Sequence, residues 1–97
     1  MIMSWIVYMV RLKNGSLYTG ITNNLERRLK THADGKGSKY VRSHLPFELV
    51  YKEIVADQSA ALIREAEIKS KNVKYKQGLI NSPLNTMKEK DNEEISN

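Results

Sequence analysis

The sequence predicts a small α/β (α+β) sandwich, a sheet with helices on its faces, in the order β-β-α-β-α-α. Three observations carry that expectation. Two apolar runs, Trp5 to Leu12 and Ser16 to Ile21, flank Lys13-Asn14-Gly15, and Asn-Gly between apolar runs is the strongest short signal for a hairpin. Two segments, 23–33 and 57–72, place apolar residues at helical spacing behind residues that cap helices. A third apolar run, Phe47 to Val55, stands between them. Hairpin strands are antiparallel, so the sheet cannot be purely parallel.

The first run, Trp5-Ile6-Val7-Tyr8-Met9-Val10-Arg11-Leu12, is apolar on both alternating faces and predicts a central strand covered on both sides. The turn decides its register with the return strand. A two-residue Asn-Gly loop would put Tyr8 and Tyr18 on opposite faces. A three-residue loop, Lys13-Asn14-Gly15 with Gly15 left-handed, pairs Tyr8 with Gly20 and Val10 with Tyr18, so that both tyrosines share a face. The second register is the expected one.

From Asn23 to Ala33 the pattern is helical. Asn23 is the expected cap, with Glu26 completing a capping box. Leu25 and Leu29 set the buried face, Arg28 and His32 lie beside it one turn apart, and Arg27 points away. The segment from Asp34 to His44 is basic and loop-like, with room for a helical turn at Lys39 to Ser43 before Pro46. Phe47 to Val55 is a strand alternating Phe47, Leu49 and Tyr51 against Glu48, Val50 and Lys52. Asp57 caps a second long helix running to about Asn72, with Ala61, Leu62, Ala66 and Ile68 as its apolar stripe. A last short helix, about Lys74 to Ile80, is expected to pack Tyr75, Leu79 and Ile80.

Composition bounds the function. The chain has 97 residues and no cysteine, which fits one domain and excludes a disulfide framework, a thiolate zinc site and a cysteine nucleophile. No stretch approaches the roughly 18 apolar residues of a membrane span. MIMSWIVYMV lacks the basic leader and cleavage site of a signal peptide, so a soluble cytoplasmic protein is expected. Residues 1–82 carry fourteen basic and seven acidic side chains; residues 83–97 carry two and four. Only Leu84, Met87 and Ile95 are large apolar groups in that last stretch, which therefore reads as a disordered polar tail on a domain spanning 1–82. The basic balance of the domain points to an anionic partner, nucleic acid first.

Glu65 most needs explaining. It falls inside the apolar helix stripe, while Glu67 faces the other way. A carboxylate there costs several kcal/mol unless paired, protonated or bound to a cation. A salt bridge to Arg28 or a lysine is one answer. A metal ion is the other, held nearly alone with waters and substrate oxygens completing the shell, as Mg²⁺ often is. Arg28 offers a fixed fork for phosphate and His32 a proton carrier near neutral pH, unless both are simply a solvated flank. Tyr8 and Tyr18 are either core aromatics or paired hydroxyls.

Ile6-Val7-Tyr8, then Tyr18-Thr19-Gly20, then Asn24-Leu25-Glu26-Arg27-Arg28-Leu29-Lys30-Thr31-His32 together resemble the GIY-YIG nuclease domain. Gly35-Lys36-Gly37-Ser38-Lys39-Tyr40-Val41-Arg42 and Arg64-Glu65-Ala66-Glu67-Ile68-Lys69 extend the likeness over nearly all of residues 4–82, and it looks most like the small stand-alone bacterial branch. The resemblance implies a three-stranded antiparallel sheet flanked by helices, and cleavage of phosphodiesters with one divalent ion, Mg²⁺ or Mn²⁺. It implies that Tyr8 or Tyr18 helps activate water or acts as nucleophile, that Arg28 steadies the phosphate, that His32 assists proton transfer and that Glu65 binds the metal. Lys36, Lys39, Arg42 and Lys69 would hold flanking phosphates. Ile6 stands where the family has glycine and Thr19 where it has isoleucine, and neither change removes a polar group. Asn85 after Pro83 is near, but one residue short of, the place where the family often carries an asparagine.

The implied function is a metal-dependent endonuclease acting on DNA, in repair or recombination, with a protein partner as one source of specificity. The alternative is a nucleic-acid-binding module or a partner-dependent adaptor with little catalysis of its own.

Overall fold

The computed structural model describes residues 4–87. The elements are β1 (Trp5–Leu12), β2 (Leu17–Thr22), α1 (Leu25–Ala33), α2 (Lys39–Arg42), β3 (Phe47–Val55), α3 (Gln58–Lys69) and α4 (Val73–Ile80). The three strands form one antiparallel sheet in the order β2-β1-β3. The strand that is apolar on both faces is the central one, and each face has its own core. Val7 and Met9 join Tyr51, Ala61, Ile68 and Leu79 beneath α3 and α4. Tyr8, Val10 and Leu12 join Val41, with Leu25 and Leu29 packed against them from α1. Each fully buried side chain of this size contributes about 1.5–3 kcal/mol, so β1 helps to hold both helical layers.

The hairpin adopts the three-residue loop. Gly15 has φ +87°, a left-handed value that glycine reaches at no steric cost, and its N–H donates to Leu12 O at 2.8 Å. Tyr8 therefore pairs with Gly20 and Val10 with Tyr18, and the two tyrosines share the α1 face.

Four local expectations change. The cap of α1 is Asn24, whose Oδ1 accepts from Arg27 N at 3.0 Å; Thr22 Oγ1 accepts from Asn24 N at 3.0 Å and carries the turn one residue past Asn23. Tyr51 lies on the face opposite Phe47 and Leu49. A β-bulge causes this: Met9 pairs with Tyr51 but Val10 with Leu49, so Val50 is an extra residue and the alternation inverts there. On α3 the inward line is Ala61, Arg64, Glu65 and Ile68, whereas Leu62 and Ala66 face solvent. Finally, α3 stops at Lys69, and Asn72 caps α4 by accepting from Tyr75 N at 2.9 Å; Tyr75 itself is exposed.

The chain also stays on the fold beyond Ser82. Asn85 is only 4% exposed. Its Nδ2 donates to Val50 O and to Ile80 O, each at 2.9 Å, and its Oδ1 accepts from Lys52 N at 3.2 Å. Thr86 Oγ1 donates to Lys52 O at 2.9 Å. The stretch 83–87, expected to begin a tail, instead covers the outer edge of β3 at its bulge, using hydrogen bonds rather than the apolar area on which the expectation rested. Residues 88–97 of that expected tail lie outside the described residues.

Candidate active site

The site grows from one cross-strand pair. Tyr8 stands opposite Gly20, and its ring extends from β1 across β2 over that glycine. A Cβ at position 20 would lie 2.6 Å from the Tyr8 hydroxyl and 2.7 Å from Cζ. The glycine is thus the space the tyrosine occupies. Gly20→Ala is expected to displace the ring and lower the melting temperature by about 4–20 °C, the range set by overpacking costs of 1–3 kcal/mol in a domain this size. An unchanged thermal melt would mean that the ring does not lie over Gly20.

The phenol ends on His32. Tyr8 Oη and His32 Nε2 are 2.8 Å apart, both residues are buried, and the rings sit 6.0 Å apart. Tyr18 meets the same imidazole edge-on at 5.8 Å, and Phe47 closes it at 6.1 Å. His32 is on α1 because Leu25 and Leu29 turn that helix face toward the sheet, and His32 extends the same face. Its Nδ1 lies against Gly37, where a Cβ would come within 2.5 Å, and has no hydrogen-bond partner among the described residues. Gly37 in the loop after α1, with Tyr18 and Phe47, therefore packs against His32, which is only 1% exposed.

Electrostatics keep both partners neutral at pH 7. Burial raises the Tyr8 phenol well above its usual range; Tyr18 and Glu65 add to the rise and Arg28 opposes it. Burial, and then Arg28, hold the His32 imidazole below its ordinary 6.5. A histidine buried neutral binds a proton more readily unfolded than folded, so its contribution to stability is complete above pH 6.5 and is lost as pH falls through the lowered folded value. Chemical denaturation from pH 7.5 to 5 is expected to show this loss, and His32→Gln to flatten the slope. Equal slopes in the two proteins would rule the linkage out.

Arg28 is exposed on α1, one turn before His32, and has no ion-pair partner among the described residues. A polar depression of about 230 Å³ lined by Thr22, Asn23, Asn24, Arg27, Arg28 and Thr31 opens beside it. Glu65 is half-buried on the inner side of α3 and reaches the cluster through its field on Tyr8 rather than by contact. Its carboxylate Oε2 pairs with Lys69 Nζ at 3.3 Å. The lysine assigned to flanking phosphate is thus the partner of the carboxylate assigned to metal. Lys36, Lys39 and Arg42 are exposed around α2, the stem of Arg42 passing 3.7 Å from where a Cβ on Gly35 would sit.

Of the sequence-derived residues, Tyr8, Tyr18 and His32 meet directly, while Arg28 and Glu65 act on that cluster through charge. Gly20 and Gly37 were missed as positioning residues. Their signal was present: each glycine falls where neither a turn nor a helix end requires one.

A divalent ion is tested by the donors available. No group of three or more His, Cys, Asp or Glu that could hold a metal occurs among the described residues. One half-buried carboxylate, held only by a 3.3 Å lysine contact, suits a hard cation that keeps most of its waters. Glu65 fits that role.

A model of the GIY-YIG catalytic domain matches residues 4–78. A UPF0213 protein of Staphylococcus haemolyticus is 50% identical over 64 residues, 66% of this chain and 78% of that protein. A UPF0213 protein of Serratia liquefaciens is 42% identical over 83 residues, 86% of this chain and 81% of that protein. The solution NMR structure of a UPF0213 protein from Bacillus halodurans superposes with a TM-score of 0.56 at 38% identity, covering 84% of this chain and 87% of that one. It has in common with this chain the three-stranded antiparallel sheet and flanking helices.

Proposed function

The chain belongs to the GIY-YIG catalytic domain family, and on that footing we propose that it is an endonuclease that hydrolyses phosphodiester bonds in DNA with one divalent metal ion. The observation that carries the reading is the neutral, buried Tyr8–His32 hydrogen bond of 2.8 Å beside an unpaired Arg28.

Hydrolysis adds water across a P–O bond: the water oxygen bonds to phosphorus, the P–O bond to the leaving alkoxide breaks, one proton must leave the water and one must reach the departing oxygen, for which solvent is the source. A free phenol ionises near 10 and is a poor base at pH 7. Coupled to His32, Tyr8 need not ionise. Its oxygen takes the proton from water as its own proton passes to Nε2, and His32, held neutral, is ready to receive it. Arg28 presents its fork to the non-bridging oxygens, whose charge grows in the transition state. Tyr18 packs edge-on to His32 and orients the ring. Glu65 would hold the ion, which when bound would supply further charge neutralisation at the phosphate. Lys36, Lys39 and Arg42 hold flanking phosphates; Lys69 does so once phosphate replaces Glu65 as its partner.

The test is incubation of the purified protein with supercoiled, branched and single-stranded DNA, with Mg²⁺ or Mn²⁺ and with chelator. Cleavage is expected only with metal, and not in Glu65→Ala. The Glu65–Lys69 pair favours a second reading, a nucleic-acid-binding module whose carboxylate is already satisfied. That module would bind DNA with strong salt dependence and without regard to metal or to Glu65. Metal-independent cleavage, or cleavage equal in the variant, would overturn the proposal.

A further inference from the structure

Away from the Tyr8–His32 pair, two tyrosines, Tyr40 and Tyr75, stand exposed on the surface, and Tyr40 is the more exposed of them. Tyr40 of α2 is 45% exposed and is absent from both cores. It is nonetheless held firmly. Its hydroxyl lies 3.0 Å from Ser16 Oγ, which donates to Asn14 Oδ1 at 2.7 Å. Its ring stacks against His44, centroids 4.6 Å apart and planes tilted 41°. His44 is in turn anchored, its Nδ1 2.9 Å from Tyr40 O and its own carbonyl accepting from Lys13 N at 2.9 Å. The hairpin turn and α2 thus clamp the ring from two directions and leave much of it open. Lys39 and Arg42 share α2 with it, Lys36 lies four residues before it, and the backbone of Lys13 is bonded to His44; all four cations are exposed and none is ion-paired among the described residues.

An exposed, pre-ordered aromatic ring in a field of unpaired cations is the arrangement that binds nucleobases of a single strand, phosphates on the cations and a base on the ring. Base pairs inside a duplex have both faces covered by their neighbours, so such a ring is of use only to an unpaired base. Its place relative to the candidate active site is fixed by β2. Gly20 and Tyr18 share a face, and Ser16, two residues further along and bonded to Tyr40, continues it. Ser16 and Gly20 are four residue steps apart along the chain, about 13 Å at the usual rise. An extended single strand spans that gap in a few nucleotides.

We propose that Tyr40, backed by His44, is a base-stacking subsite that gives this protein a preference for single-stranded DNA beside the bond it cleaves. The proposal rests on the nuclease reading for the meaning of the site, but its test does not need cleavage. Binding of a fluorescein-labelled oligothymidine and of a hairpin duplex of equal length is measured by anisotropy in chelator, so that no strand is cut. Tyr40→Leu and Tyr40→Ala are expected to weaken single-strand binding about tenfold, the loss of one stacked base. Tyr40→Phe and Tyr40→Trp should stay within about twofold, since they keep a π face. Duplex affinity should hold in all four, and the salt dependence of single-strand binding should be unchanged because no phosphate contact is lost.

The controls separate the ring from the clamp. Tyr40→Phe breaks the Ser16 bond and is expected to lower the melting temperature while preserving binding, which a merely structural tyrosine would not do. Oligothymidine binding that is absent in the wild type, unchanged in Tyr40→Leu, lost equally in Tyr40→Phe, or weakened equally on duplex would overturn the proposal. If Tyr40→Ala fails to fold, the leucine, phenylalanine and tryptophan variants still decide. A wild type that binds oligothymidine through Tyr40 but cleaves no DNA would overturn the nuclease reading and leave the subsite standing. One that cleaves while Tyr40→Leu binds normally would do the reverse.

Discussion

Arg28→Ala protein is expected to cleave DNA about 10²–10³-fold more slowly than the wild type, the cost of removing one preorganised group aimed at developing charge. It should melt within about 4 °C of wild type, because an exposed side chain without an ion-pair partner changes stability by no more than about 0.5 kcal/mol. That separation of activity from stability is what distinguishes a phosphate-binding arginine from a solvated helix flank. A second readout comes from its neighbours. Arg28 helps hold the His32 imidazole down, so its removal should shift the acid limb of any residual activity toward higher pH. Arg28→Lys keeps the charge and loses the fork, and should recover the pH limb while recovering only part of the rate. Wild-type rates in Arg28→Ala would remove the arginine from the chemistry.

The largest expected effect on stability belongs to Asn85→Ala. Its amide closes the β3 edge by donating to Val50 O and Ile80 O and accepting from Lys52 N. Alanine would leave these three backbone groups without their partner, at about 1–3 kcal/mol for each group that water cannot reach. Because the edge lies near the surface and water recovers part of the loss, about 2–4 kcal/mol in total is expected, or a fall of roughly 8–30 °C in melting temperature. Asn85→Asp keeps the acceptor for Lys52 N but presents oxygens to two carbonyls, and should be no better than alanine. A thermal melt of Asn85→Ala within a few degrees of wild type would mean that the edge is held elsewhere.

Asn85 also marks where reading the sequence fails. Apolar area is scarce after Ser82, which ends the domain there on the sequence alone, yet one buried amide secures residues 83–87 to a strand 33 to 35 residues earlier. The bulge is a second instance. Phe47, Leu49 and Tyr51 alternate faultlessly in sequence, and only pairing with β1 inserts Val50 and moves Tyr51 to the other core. In the candidate site, residue types were legible one by one, but the meeting of Tyr8 with His32 and of Glu65 with Lys69 was not. Both glutamate partners considered, Arg28 and a lysine, satisfied the same sequence.

What the sequence by itself determined are features written within a few neighbouring residues. Gly15 set the hairpin loop and therefore the shared face of Tyr8 and Tyr18; Asp57 set the start of α3; the doubly apolar run set β1 at the centre. Each depends on local backbone geometry or on a periodic pattern, which a short window contains. Only the tertiary structure decided which distant side chains touch, where the register slips and how a polar residue can anchor the chain's end. Those outcomes depend on the shape left between packed layers, and that shape exists only once the layers have met.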